Sequence, residues 1–133
     1  MILLDTHAAM WFVTADEALG EQSERLARRA LADDHLTVSA ISFWEITMLT
    51  AKRRLQATIS PAEQRHRILI AGIQELPLTG DIAVLSVALE HFHGDPADRF
   101  IAATALAHDA TLITADKRLL AWRHQMKRHN ATR

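Results

Sequence analysis

Three short apolar runs, Ile2-Leu3-Leu4, Leu36-Thr37-Val38 and Thr111-Leu112-Ile113, are spread along a sequence whose other stretches read as helices. Runs of this length, closed by polar residues, suit buried strands. Strands separated by helices cannot pair through tight hairpins, so the alternation implies a parallel sheet with helices on both faces. The fold class is α/β. Helices are predicted from about Ala8 to Ala18, from Glu21 to Ala32 beyond a break near Gly20, and from Ile41 to about Arg54. Ser60-Pro61 opens another, with Ser at the N-cap and Pro at the first helical position, ending near Gly72. Further helices are predicted from Thr79 to about Phe92, from Asp95-Pro96 to about His108, and from Asp116 to about Trp122. Glu75-Leu76-Pro77-Leu78 reads as one more short strand. The basic tail from Arg123 either frays or holds a weak last strand around Gln125-Met126-Lys127.

With 133 residues the chain suits one domain, 1–133, able to bury roughly two-thirds of its unfolded surface. The absence of cysteine excludes disulfides and thiolate metal sites, so any metal must be held by oxygen or nitrogen. A net charge of −1, from 15 basic and 16 acidic residues, is not the footprint of a passive nucleic-acid binder. Met1-Ile2-Leu3-Leu4-Asp5 has neither the basic nor the long apolar region of a signal peptide, and no stretch is long and apolar enough to span a membrane. A soluble cytoplasmic protein is expected.

In parallel α/β sheets ligands bind beyond the carboxyl ends of the strands. Asp5 and Asp116 follow two such ends, and Glu45 and Asp98 lie at helix starts that face the same rim. Taken singly, most have a structural explanation. Ser42-Phe43-Trp44-Glu45 fits a capping box; Asp95-Pro96-Ala97-Asp98 fits an N-cap Asp with an acid at N3; Thr114-Ala115-Asp116 fits an N-cap Thr with an acid in the first turn. Asp5 has no obvious cap to make if its helix begins near Ala8. Together they are harder to explain, because acids crowded on one rim raise each other's pKa and cost stability. Few cations are placed to pair them: Arg99 and Lys117 adjoin Asp98 and Asp116 but project about 100° away on a helix. A divalent cation, Mg²⁺ or Mn²⁺ for hard oxygen ligands, resolves the conflict and points to a metal-dependent hydrolase.

Four segments, in this order and spacing, carry a family resemblance: Leu3-Leu4-Asp5-Thr6-His7, Ser39 to Ile46, His93 to Ala105 with Asp95-Pro96-Ala97-Asp98 inside it, and Leu112-Ile113-Thr114-Ala115-Asp116. From Met1 to about Trp122 the chain resembles a PIN domain, and specifically a VapC-type toxin of a bacterial toxin–antitoxin pair. The resemblance implies an α/β/α sandwich with a mostly parallel sheet and Mg²⁺- or Mn²⁺-dependent endoribonuclease activity. It places Asp5, Glu45, Asp98 and Asp116 on the family's acidic quartet. Asp95 lies beside it, and Thr6 and Thr114 fall where the family often orients an acid or a metal-bound water. It further implies a homodimer and a small VapB-like antitoxin whose C-terminal segment covers the active site. Relatives often carry a glycine after the Glu helix; Lys52-Arg53-Arg54-Leu55 has none.

The mechanism so expected is hydrolysis of an RNA phosphodiester by metal-activated water, with Asp5 the principal ligand and Glu45 a ligand or proton acceptor. Arg53, Arg54, Arg65, Arg67, His7 and the basic tail are candidates to contact RNA, and Trp11 and Trp44 are expected in the core. Two rivals remain. A phosphatase of the haloacid dehalogenase type also uses an Asp after its first strand, but wants a second acid where His7 stands. A catalytically degenerate domain that only binds a partner would have no need of the intact acid set.

Overall fold

The computed structural model describes residues 1–52 and 58–133. Its centre is a five-stranded sheet, β1 (Ile2–Leu4), β2 (Leu36–Ser39), β3 (Gln74–Leu76), β4 (Thr111–Thr114) and β5 (Arg128–Asn130), in the order β3-β2-β1-β4-β5. Every adjacent pair is parallel; Leu3 sits beside Thr37 on one side and Leu112 on the other. The mostly parallel α/β/α sandwich expected from the alternation is what forms. The two helical layers follow from the period-2 pleat. Leu3 and Leu112 face one core with Ile101, Ala102, Leu119 and Trp122; Leu4 and Ile113 face the other with Ala8, Ala27, Ile46 and Ile68. A fully buried side chain of this kind contributes about 1.5–3 kcal/mol.

The helices are α1 (Thr6–Thr14), α2 (Glu21–Ala32), α3 (Ile41–Ala51), α4 (Pro61–Ile70), α5 (Gly80–Ala88), α6 (Pro96–Ala107) and α7 (Lys117–Ala121). Ser60 caps α4 and Asp95 caps α6, each with Pro at the start, as the sequence predicts. Four elements depart from expectation. First, α1 begins at Thr6 rather than Ala8, because the Asp5 carboxylate accepts from Ala8 N–H, and it ends early at Ala15, which is left-handed (φ 52°). Second, α5 stops at Ala88 rather than near Phe92. Carbonyls in its last turn and beyond it find side-chain partners instead: the Arg99 guanidinium donates to Ser86 O and Phe92 O, and Trp122 Nε1 donates to Glu90 O. Third, the last strand lies a few residues later than predicted, at Arg128–Asn130, where it pairs with β4. Fourth, Trp44 is 47% exposed rather than in the core.

The tail is tied down rather than frayed. Gly20 N–H donates to Ala131 O, Ser23 N–H to Arg133 O, and Ser23 Oγ to Asn130 O. A Cβ on Gly20 would collide with the backbone of Arg133. Gly20→Ala should therefore cost about 1–3 kcal/mol of stability, read as a lower midpoint in urea unfolding; an unchanged midpoint would show that this contact is dispensable.

This topology positions the site. Crossovers run to β2 and β3 on one side of β1 and reach β4 and β5 on the other, so the loops after β1 and β4 diverge and leave a crevice at the carboxyl edge. Because α6 leads into the amino end of β4, its own first turn lies at that edge.

Candidate metal centre

Each acid is fixed by a local backbone device. Asp5 leaves β1 and caps α1: Oδ1 accepts from Ala8 N–H at 2.8 Å, and Oδ2 accepts from the Thr114 hydroxyl at 2.5 Å. Only 7% exposed, it is pushed above the usual carboxylate range by burial, against the pull of these two hydrogen bonds. Asp95 caps α6 by accepting from Asp98 N–H. Asp116 caps α7, Oδ1 accepting from Arg118 N–H at 2.8 Å and Leu119 N–H at 3.1 Å. Thr114 is thus not the N-cap that the sequence suggests. Its hydroxyl instead joins the two acids, donating to Asp5 and accepting from Asp116 N–H.

Glu45 is not part of a capping box. Helix α3 starts after Ala40, so Ser42 is already inside it, buried, and accepts from the Thr6 hydroxyl at 3.0 Å. The carboxylate of Glu45 is left to face the crevice. Burial raises its pKa, while the neighbouring Thr6 hydroxyl favours its charged form. Asp98 is buried in the first turn of α6, and its Oδ2 lies 2.7 Å from His93 Nε2. Burial pushes its carboxyl up to about 6; Asp95 and Asp116 add to this, and the His93 contact opposes it.

Asp5, Glu45, Asp95, Asp98 and Asp116 line one cleft of about 330 Å³, together with Thr6, His7 and Arg118. One oxygen from each of Glu45, Asp95 and Asp98 falls within 4.8 Å of the others, close enough to share a cation. Asp95, which the sequence puts beside the acids, stands among them. Asp5 and Asp116 complete the rim, each with an oxygen already engaged by its helix. An all-oxygen donor set, partly buried and short of positive charge, fits a hard divalent ion.

Two further residues belong here that the sequence reading passes over or sets aside. Arg118 points its Nη2 at three of the acids, 3.5 Å from Asp98, 3.6 Å from Asp116 and 4.0 Å from Asp95. The available signal was the capping geometry itself: an Asp at the N-cap reaches the N–H two residues on, so the side chain at that position starts beside the carboxylate. His93, which opens the third segment of the resemblance and carries no role in the sequence reading, is the partner of Asp98.

Four of the cations proposed for RNA are engaged elsewhere. Arg65 makes two 2.9 Å hydrogen bonds to Glu75 and lies over Phe43; Arg67 reaches Glu63; Lys127 pairs with Asp109; Arg128 donates to Leu119 O and His124 O. His7 is exposed at the mouth of the cleft. Arg53, Arg54 and the glycine-free turn at Lys52-Arg53-Arg54-Leu55 fall wholly or mainly on residues 53–57, outside the described residues.

The raised carboxyl groups give the metal-free protein a definite pH response. Asp98 binds its proton more tightly folded than unfolded, and Asp5 and Glu45 shift the same way. Their contribution to stability is present below the unfolded value near 4 and lost as pH rises through the folded value, about 6 for Asp98. In EDTA the melting temperature should therefore rise on going from pH 7 to pH 5. A fall over that interval, in a variant series that isolates these three acids, would contradict the assignment.

The PIN domain family model matches residues 2–123. Ribonuclease VapC22 of Mycobacterium tuberculosis is 36% identical over 92% of this chain and 92% of that protein. Among solved structures, VapBC2 from Rickettsia felis, bound to a DNA fragment from its promoter, superposes with a TM-score of 0.69 at 14% identity over 98% of each chain. A toxin–antitoxin complex from Klebsiella pneumoniae gives 0.59 at 24% identity over 92% of each chain. No helix of the described residues is long and apolar enough to cross a membrane.

Proposed function

Because the chain belongs to the PIN-domain family, we propose that it is a divalent-metal-dependent endoribonuclease and the toxin of a toxin–antitoxin pair. The observation that carries this reading is the convergence of Glu45, Asp95 and Asp98 within 4.8 Å, with Asp5 and Asp116 in the same cleft. Support for RNA as the substrate comes from the 36% identical relative, which is named a ribonuclease. A small antitoxin is the expected partner, since the solved neighbours include toxin–antitoxin complexes. Its C-terminal segment would cover the cleft, and the active form would be a homodimer.

Asp5, Glu45, Asp98 and Asp116 are the acidic set, and Asp95 joins them as a ligand. A bound Mg²⁺ or Mn²⁺ supplies Lewis acidity to the phosphoryl oxygen and lowers the pKa of water. The protein's own groups do the rest. Thr114 and the start of α1 hold Asp5 in one orientation at the edge of the cleft, leaving each oxygen with further acceptor capacity. His93 fixes the rotamer of Asp98. Glu45, with its pKa raised and its side chain free of any cap, suits the proton acceptor, because a base works best near the operating pH.

The test is incubation of the purified, antitoxin-free protein with total bacterial RNA in Mg²⁺, in Mn²⁺ and in EDTA. Discrete fragments that require metal are the expected result. Intact RNA in all three, from protein that binds Mn²⁺ in calorimetry, would remove RNA as the substrate.

A further inference from the structure

A strand of RNA whose scissile phosphate enters the acidic cleft must also leave it, and its neighbouring phosphates meet five carboxylates on that rim. The structure offers one adjoining path of opposite character. Arg118 lines the acidic cleft and also forms the wall of a second cleft of about 410 Å³, whose other lining residues are His91, Ala121, Trp122 and Arg123. The residues that line this second cleft include no carboxylate. His91 and Arg123 are both exposed.

The floor is rigid. Trp122 is 5% exposed, donates to Glu90 O, and packs edge-on against Phe92 at 4.8 Å. The larger concavity on the other flank of the acidic cleft, past His7 and Trp11, is a poorer path for a polyanion. It contains Asp16, and among the described residues that line it the guanidinium of Arg67 is paired with Glu63.

We infer that the cleft of His91, Arg118 and Arg123 is a phosphate subsite, which holds a backbone phosphate of single-stranded RNA next to the one cleaved. This rests on the ribonuclease reading above. Arg118 is then the hinge of the arrangement: its guanidinium balances Asp95, Asp98 and Asp116 on one side and faces the flanking phosphate on the other. Arg123 lines only the second cleft and so isolates the subsite from the metal centre.

The experiment uses fluorescein-labelled oligouridylate, bound to the full chain carrying Asp5→Asn to suppress cleavage, in Mg²⁺ over a series of salt concentrations. Removing one phosphate contact to a single strand should make the slope of log affinity against log salt shallower by about 0.7. Arg123→Ala should do this and weaken binding about fivefold at low salt, while Arg123→Lys keeps the parent's slope. Arg25→Ala, on the exposed face of α2 where Arg25 pairs with Glu21, serves as the control and should match the parent. Arg123→Ala with the parent's slope and affinity would overturn the subsite and leave the ribonuclease reading standing. A parent that binds no oligouridylate would overturn the subsite too, while the ribonuclease reading is decided separately by the cleavage of total RNA. Because Arg123 is exposed, a melting temperature equal to the parent's verifies that the variant is folded.

Discussion

Asp5→Asn is expected to slow RNA cleavage by about a thousandfold, the scale on which removal of one group aimed at reacting charge is felt, while leaving the fold intact. The stability half follows from the contacts of Asp5. An asparagine Oδ1 accepts from Ala8 N–H as the carboxylate does, so the N-cap of α1 survives. The Thr114 hydroxyl can rotate to accept from the new amide instead of donating. Burial already disfavours the charge on Asp5, so the neutral amide removes a cost in the metal-free state. Asp5→Ala differs: it strips the cap and leaves the Thr114 hydroxyl proton without its acceptor in the interior, at about 2 kcal/mol. The pair of variants, assayed for single-turnover cleavage and thermal unfolding, separates chemistry from folding. An Asp5→Asn protein that cleaves at the parent's rate in Mn²⁺ would remove Asp5 from the site.

Mn²⁺ at about a hundred times its dissociation constant should stabilise the protein by about 2.7 kcal/mol at neutral pH. For a chain of this length that is a rise in melting temperature of roughly 10 °C. The cause is the burial, with some crowding, that raises the carboxyl pKa values: the ion replaces protons and relieves a cost that Arg118 and His93 offset only in part. The shift should shrink toward pH 5, since Asp98 takes up its proton near 6 and competes with the metal. It should also be lost when Glu45, Asp95 and Asp98 are replaced together by their amides. Differential scanning calorimetry at pH 7.5 and pH 5, with metal and with EDTA, reads both effects. An equal Mn²⁺ shift in the triple variant would place the ion elsewhere.

The parts of this molecule that were legible in its sequence are those that local chemistry decides. The apolar runs at β1, β2 and β4 and the Ser60-Pro61 and Asp95-Pro96 starts of α4 and α6 need nothing beyond their neighbours in the chain. What was not legible depends on partners far away. The end of α5 is set by Arg99 and Trp122, from α6 and just beyond α7, which take the carbonyls of Ser86, Glu90 and Phe92. The position of β5 is set by pairing with β4, which no property of Arg128-His129-Asn130 announces.

The acids were legible as a set, because their positions follow from the ends of strands and the starts of helices. Their grouping was not. Whether Asp95 or Asp5 turns an oxygen toward Glu45 and Asp98 depends on which oxygens the caps occupy, and that needs coordinates. The capping-box explanation of Glu45 failed for a similar reason: α3 begins at Ile41, two residues earlier than Ser42 at the N-cap requires. Arg118 was not legible because its place beside the acids follows from Asp116 capping α7 and holding the Arg118 N–H, a capping role that the sequence pattern assigns to Thr114 instead.

The central claim is that these acids bind a divalent ion and that cleavage of RNA depends on it. The most direct test measures Mn²⁺ occupancy and the rate of RNA cleavage on the same preparation across one metal titration, for the parent and for the triple amide variant at Glu45, Asp95 and Asp98. The account predicts a cleavage rate that rises in step with occupancy in the parent, with neither occupancy nor cleavage in the variant. Cleavage that persists in EDTA, or unchanged Mn²⁺ binding by the variant, would contradict it.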